Sequence, residues 1–247
     1  MTSLAVQETD IRAFAVALQA YRVTCQVNGD AADEMEIVQT YPDIEYKLAR
    51  DIAAVFGHNL FCVEYAKSCP GFTDRRSIFI KNIARGTTFF RPVWTAAHEL
   101  CHLIENEPLL HQPALEELKK VVLLDAWEKR RAIEDDDIGN VFRNLSVLHP
   151  PKEIDRSPER QAYIWNEVMA DCYASMWSEP FFWDGVLCAH ASGSTATDVI
   201  ETIERLREAN SVAAIDSYPV RIWYPPENRA RVCAIMTDLT AAFLTRH

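Results

Sequence analysis

The segment TAAHELCHLI, residues 95–104, places two histidines four positions apart, with a glutamate directly after the first. Residues four apart on a helix share one face, so the imidazoles of His98 and His102 would project from the same side. Zinc takes nitrogen ligands at about 2.0–2.1 Å, and two imidazoles one turn apart can bind the same ion. The spacing therefore predicts part of a zinc site on a helix.

Glu99 adds a general base to this pattern. Its side chain lies about 100° around the helix from His98, so it can approach water at an open coordination position without binding the metal. Zinc lowers the pKa of such water to about 7, and a carboxylate can then take the proton and pass it to a leaving amine. The H-E-x-x-H pattern is therefore typical of zinc-dependent peptide hydrolysis.

The alternative is a helix that carries two histidines without a metal. Apolar residues surround the motif and predict a core helix: Trp94, Ala97, Cys101 and Ile104. An imidazole without a partner is costly in such surroundings, so we expect these histidines to be bound to a metal or hydrogen-bonded.

A catalytic zinc ion needs a third protein ligand and one open position. The best candidate lies in NEVMADCYASMW, residues 166–177, a predicted helix on which Glu167 and Asp171 share a face. We expect Glu167 to bind the metal and Asp171 to accept a hydrogen bond from the far ring nitrogen of a ligand histidine, which would fix its tautomer. The alternative is an exposed acidic face, the usual place of helical glutamates.

H-E-x-x-H followed by E-x-x-x-D resembles the gluzincins, the zinc peptidases whose third ligand is glutamate. More narrowly, TAAHELCHLI and EVMADCYASMWSEP (167–180) are similar to two segments of the ImmA/IrrE family of metallopeptidases. The resemblance covers about residues 40–180. It implies a zinc-binding role for His98, His102 and Glu167, and a general-base role for Glu99. It also implies that the substrate is a regulatory protein, such as a transcriptional repressor or an antitoxin.

The chain departs from the family pattern in two places. Cys101 stands where the family has glycine, and 65 residues (167 − 102) separate His102 from Glu167. An inserted segment at about 107–157, with an amphipathic helix predicted for 113–133, accounts for the longer spacing.

The sequence predicts an α+β fold that is mostly helical, with a small antiparallel sheet packed on the H-E-x-x-H helix in a zincin-like arrangement. Helices are predicted at 9–27 and 43–56, strands at 60–66 and 76–82, a turn at 69–72, and a last helix at about 228–245. The resemblance implies that the strand near 77–81 is the edge strand that pairs with an extended substrate. We expect a metallopeptidase domain at 1–180 and a C-terminal helical extension at 181–247.

Composition limits the class of protein. The 247 residues carry a net charge of −11 and no basic stretch, which disfavours direct binding of nucleic acid. No run approaches the roughly 20 apolar residues that span a membrane, and the N-terminus lacks the basic start of a secretory signal. Seven scattered cysteines without a C-x-x-C pair argue against disulfides and a thiolate zinc site. We therefore expect a reduced, cytoplasmic protein.

Two other functions stay open at this point. The chain could be a non-enzymatic binding or sensor module stabilised by a closed zinc site, with His149 or Asp171 as a fourth ligand. It could also be a zinc hydrolase that acts on a non-peptide substrate. Hydrolysis would also need a group that stabilises the oxyanion, and the sequence does not choose among its candidates: Tyr163, Tyr173, His149, His190, Tyr218 and Tyr224.

Overall fold

The structure is a computed structural model that describes residues 5–41, 44–65, 71–82, 92–106, 112–119 and 226–244, with isolated positions between 166 and 204. The helices with described bounds are α1 (Glu8–Asn28), α2 (Ile44–Val55), α3 (Pro92–Asn106), α4 (Gln112–Lys119) and α5 (Pro226–Leu244). The strands are β1 (Met35–Ile37), β2 (Asn59–Tyr65), β3 (Gly71–Asp74) and β4 (Ser77–Lys81). The prediction of a mostly helical α+β fold with a small sheet is confirmed.

Contacts divide the chain into two compact units, Met1–Leu103 and Ile104–His247. The first contains the sheet and the H-E-x-x-H motif, and the second contains α4 and α5. The predicted domain bounds at 1–180 and 181–247 stay a prediction.

The sheet has four strands in the order β1-β2-β4-β3. β2 pairs with β1 in the antiparallel sense and with β4 in the parallel sense, so the prediction of an antiparallel sheet is wrong. The reason is the position of β3, which lies beyond β4. The chain forms β3 first and then returns through a two-residue turn, so β4 enters the sheet between β3 and β2.

The edge strand is also different from the one expected. β4 pairs with β2 on one side and with β3 on the other, so the segment near 77–81 is internal to the sheet. Ser77 through Ile80 are all buried, as befits a strand covered on both faces. The edges are β1 and β3, and in the described part of the chain no strand pairs with the outer side of β3.

Helix α1 covers one face of the sheet. The helix ends at Gly29, whose φ of 78° is the left-handed conformation that glycine adopts without steric cost. Its buried side chains pack with aromatic residues of three strands in one hydrophobic cluster. Phe79 is at the centre of that cluster, fully buried and in ring contact with four neighbours: Phe14, Tyr21, Phe61 and Phe72.

Replacement of Phe79 by alanine is expected to destabilise the fold by about 3–5 kcal/mol, because it removes a ring that four other rings enclose. Denaturant unfolding measures the change. Val16 lies on α1 with 73% of its surface exposed, so Val16→Ala is the matched control and should change stability by less than about 0.5 kcal/mol. Equal midpoints for the two variants would contradict the central role of Phe79.

Polar contacts join helix α2 to α1 and to the sheet. Arg50 donates to the Asp10 carboxylate at 2.7 Å, which joins α2 to α1. The Tyr46 hydroxyl donates to the carbonyl oxygen of Lys81 at 2.9 Å, at the end of β4. Burial raises the pKa of the Tyr41 hydroxyl, which lies next to the Arg50 guanidinium. These contacts hold α1, α2 and the end of β4 together within the first unit.

In the second unit, α5 buries an apolar face that includes Val232, Met236 and Leu239. The hydroxyl groups of Tyr173 and Thr240 lie 3.0 Å apart, both buried, and connect this helix to the segment 166–176. None of the helices in the described part of the chain is long and apolar enough to cross a membrane.

Candidate metal centre

Helix α3 carries the histidine pair and begins at Pro92, as predicted. Proline suits the first turn of a helix because its missing N–H has no partner there in any case. The helix is buried almost throughout, with Ala96, Ala97 and Leu100 fully enclosed. The prediction of a core helix is confirmed, and the site therefore rests on a rigid element.

His98 and His102 are half-buried, and their side chains converge. The two Nε2 atoms lie 3.1 Å apart, and the ring planes are inclined at 80°. The Trp94 ring lies against His98 at a centroid distance of 5.4 Å and limits the rotation of that imidazole.

The convergence of the two Nε2 atoms fits a shared cation. Two nitrogens at about 2.0–2.1 Å from a tetrahedral ion would lie roughly 3.3 Å apart, close to the 3.1 Å observed here. The same spacing is also that of a hydrogen bond from one imidazole to the other, which requires one protonated and one unprotonated Nε2. The spacing of the pair thus fits a bound zinc ion and also fits an imidazole–imidazole hydrogen bond. Measurement of the metal content distinguishes these two arrangements.

Glu99 is buried, with 6% of its surface exposed. Its carboxylate lies beside the edge strand: a Cβ atom built on Gly71 would lie 3.4 Å from Glu99 Oε1. The same atom would lie 2.7 Å from Cγ2 of Thr95, one helical turn before Glu99. The first residue of β3 therefore lies directly against the turn of α3 that carries the predicted base.

The predicted third ligand, Glu167, and its neighbour Asp171 lie outside the described residues. In the part of the chain that the structure describes, no group of three His, Cys, Asp or Glu side chains could hold a metal ion. The positions described around them have helical backbone, as predicted for this segment. Most of these are buried: Met169, Ala170, Tyr173, Ala174 and Met176. The roles of Glu167 and Asp171 stay predictions.

Of the candidates for stabilising an oxyanion, the structure describes only Tyr173. Its hydroxyl is 3.0 Å from that of Thr240, and 1% of the residue surface is exposed. These contacts give Tyr173 a packing role in the second unit. Among the described cysteines, Cys101 directly precedes His102 in the sequence, is buried and forms no disulfide.

Sequence reasoning assigned no role to Gly71 or Thr95. Gly71 follows a proline and was expected to lie in a turn, so nothing in the sequence indicated that it starts a strand. Thr95 belongs to the quoted motif, but its contact with Gly71 depends on the tertiary fold.

Comparisons of the chain with protein-family models, with curated proteins and with solved structures each gave no match.

Proposed function

We propose that the chain is a zinc-dependent metalloendopeptidase of the gluzincin type that acts in the cytoplasm on a regulatory protein. The observation that carries this proposal is the convergence of His98 Nε2 and His102 Nε2 at 3.1 Å, one residue from a buried glutamate. A resemblance to the ImmA/IrrE family at two motifs supports it further. His98, His102 and Glu167 would hold the metal.

When bound there, zinc would act as a Lewis acid and make water acidic enough to ionise near neutral pH. Glu99 would accept a proton from the attacking water and pass it to the nitrogen of the leaving amine. Asp171 would accept a hydrogen bond from a ligand histidine and hold its ring in one tautomer. Trp94 packs on His98 and keeps the ring aimed at its partner.

The position of β3 at an edge of the sheet supports an endopeptidase that binds its substrate as an extended peptide. Among the residues that the structure describes, no strand pairs with this edge, and such an edge can pair with the main chain of a peptide, which places every second side chain on one face. β3 begins at Gly71, and Gly71 lies against Glu99, so a peptide bound along this edge would pass close to the carboxylate. The docking strand in this proposal is β3, in place of the segment near 77–81.

Metal content and cleavage specificity test the proposal together. The purified chain is expected to bind about one zinc ion and to cut unstructured peptides from a proteome-derived library, with cleavage sites identified by mass spectrometry. A chelator should stop cleavage, and added zinc should restore it, because the metal supplies the Lewis acid.

The same library and chelator series separate the alternatives. Stoichiometric zinc without cleavage of any peptide would favour a metal-stabilised binding module. Cleavage that survives complete removal of metal would contradict zinc catalysis. A chain that binds no zinc at neutral pH would contradict the metal site itself.

A further inference from the structure

Gly71 lies where a side chain would collide with its surroundings. A Cβ atom at this position would be 2.7 Å from Thr95 Cγ2, well inside the roughly 3.5–4.0 Å at which carbon atoms make favourable contact. It would also lie 3.1 Å from the carbonyl oxygen of Phe79, which belongs to the paired strand β4 and has little freedom to move. Residue 71 is therefore restricted to glycine by space.

Backbone conformation does not explain this glycine. Positive φ angles occur at Gly29 and Gly57 among the described glycines, and Gly71 is not one of them. Any residue could adopt the extended backbone of β3 at this point. Glycine is required at position 71 because β3 lies close to α3 there.

Residue 71 also lies close to Glu99, the proposed general base. The Cβ position of residue 71 is 3.4 Å from Glu99 Oε1, so even a methyl group there would touch the carboxylate. Thr95 and Glu99 are four residues apart, so they present one face of α3 to the strand. Thr95 is 2% exposed, and its Oγ1 forms no hydrogen bond with the described residues, so packing against Gly71 holds its side chain in place.

We propose that Gly71 is a positioning residue for Glu99. Its missing side chain lets the start of the edge strand lie against the Thr95–Glu99 turn and leaves the space in which the carboxylate lies. The inference deepens the proposed function and rests on it, since Glu99 is the base only if the chain is a hydrolase. Gly71 itself does no chemistry.

Gly71→Ala is expected to lower kcat between about tenfold and a hundredfold, because a displacement of the base by about 1 Å has that effect. Zinc content should stay near the wild-type value, since the substitution leaves the metal ligands in place. The unfolding equilibrium constant should rise by about fivefold to a hundredfold from overpacking against Thr95.

A second variant separates positioning from simple destabilisation, and it is also the variant to use if Gly71→Ala does not fold. Thr95→Ser removes Cγ2, the atom that the new methyl would strike first. Gly71→Ala/Thr95→Ser should therefore recover most of the lost stability. Its kcat should still be about tenfold or more below that of Thr95→Ser alone, because the methyl would still lie 3.1 Å from the carbonyl oxygen of Phe79 and shift the start of β3 beside Glu99. Recovery of kcat to the Thr95→Ser value would overturn the proposal.

A thermodynamic cycle in unfolding tests the contact without any catalysis. Gly71→Ala is introduced in the Thr95→Ser background with Glu99 present and with Glu99→Ala. The effect of Gly71→Ala on the unfolding equilibrium constant should be at least about threefold smaller when the carboxylate is absent. Additive effects would refute the contact, and this outcome is independent of whether the chain hydrolyses peptides. If the coupling is found but the chain cuts nothing, the geometry stands and the proposed function fails.

Discussion

Glu99→Gln is expected to abolish peptide hydrolysis while the protein keeps its zinc. Glutamine has almost the same shape as glutamate, but its amide cannot take a proton from water. Loss of a general base lowers turnover by about a hundredfold to ten-thousandfold. Glu99 is 6% exposed and packs beside Gly71, so bulk solvent has little access to replace it. Turnover per bound zinc ion on a cleaved library peptide measures the effect.

The control for this prediction is a glutamine substitution at an exposed helical glutamate that has no proposed role. Glu116 on α4 is exposed, and Glu116→Gln should leave turnover and zinc content near the wild-type values. The decisive comparison is zinc content against turnover in the two variants. Glu99→Gln with wild-type turnover per zinc ion would remove Glu99 from the mechanism.

The helices and two of the strands could be predicted from the sequence because their signals are local. α2 ends at Val55 before Gly57, and α3 begins at Pro92, where a chain-breaking residue marks each boundary. The last helix was predicted at about 228–245 and spans Pro226–Leu244. Apolar spacing and glycine or proline at the ends carry this information without reference to the rest of the fold.

The order and sense of the strands could not be predicted in the same way. β1 has three residues and β3 has four, too few for an alternating pattern to appear. Gly71 and Phe72 were predicted to be part of a turn because they follow a proline. The burial of β4 did leave a signal in the sequence, since Ile78, Phe79 and Ile80 form a continuous apolar run, which is typical of the interior of a sheet. That pattern argued against an edge position for β4.

The histidine pair and its glutamate could be predicted because helix geometry alone sets their arrangement. His98, Glu99 and His102 lie within five residues of one another on α3, and the two Nε2 atoms converge as expected. The contact of Gly71 with Thr95 and Glu99 joins a strand to a helix more than twenty residues later in the sequence. No local pattern encodes such a contact, so only the fold reveals it.

Loss of zinc on removal of a ligand is the other large expected effect. His98→Ala, His102→Ala and Glu167→Ala should each weaken zinc binding by roughly a hundredfold to a thousandfold. A typical zinc-binding free energy of about 10–16 kcal/mol, shared by three protein ligands and one water molecule, gives each about 2.5–4 kcal/mol. Competition with a chromogenic chelator at fixed pH measures the affinities.

The ranking of the variants tests the ligand set. Cys101 directly precedes His102 and is buried, and Cys101→Ala should leave zinc affinity within about threefold of wild type, because thiolate is not part of the proposed set. Glu201 is an exposed helical glutamate in the same unit as Glu167, so Glu201→Ala is the matched control for the carboxylate. Asp171→Asn should weaken binding by about tenfold to a hundredfold, through the orientation of a ligand ring.

The carboxylate variants carry the most information, because Glu167 is assigned from the E-x-x-x-D pattern alone. If Glu167→Ala binds zinc as tightly as Glu201→Ala does, the third ligand is another residue and the gluzincin assignment fails, whatever the histidine variants show. If Asp171→Ala removes zinc as completely as His98→Ala does, Asp171 is itself a ligand. The metal would then have four protein ligands, as structural zinc sites do, and no position for water. Zinc affinity at these two positions therefore decides between a catalytic and a structural site before any substrate is known.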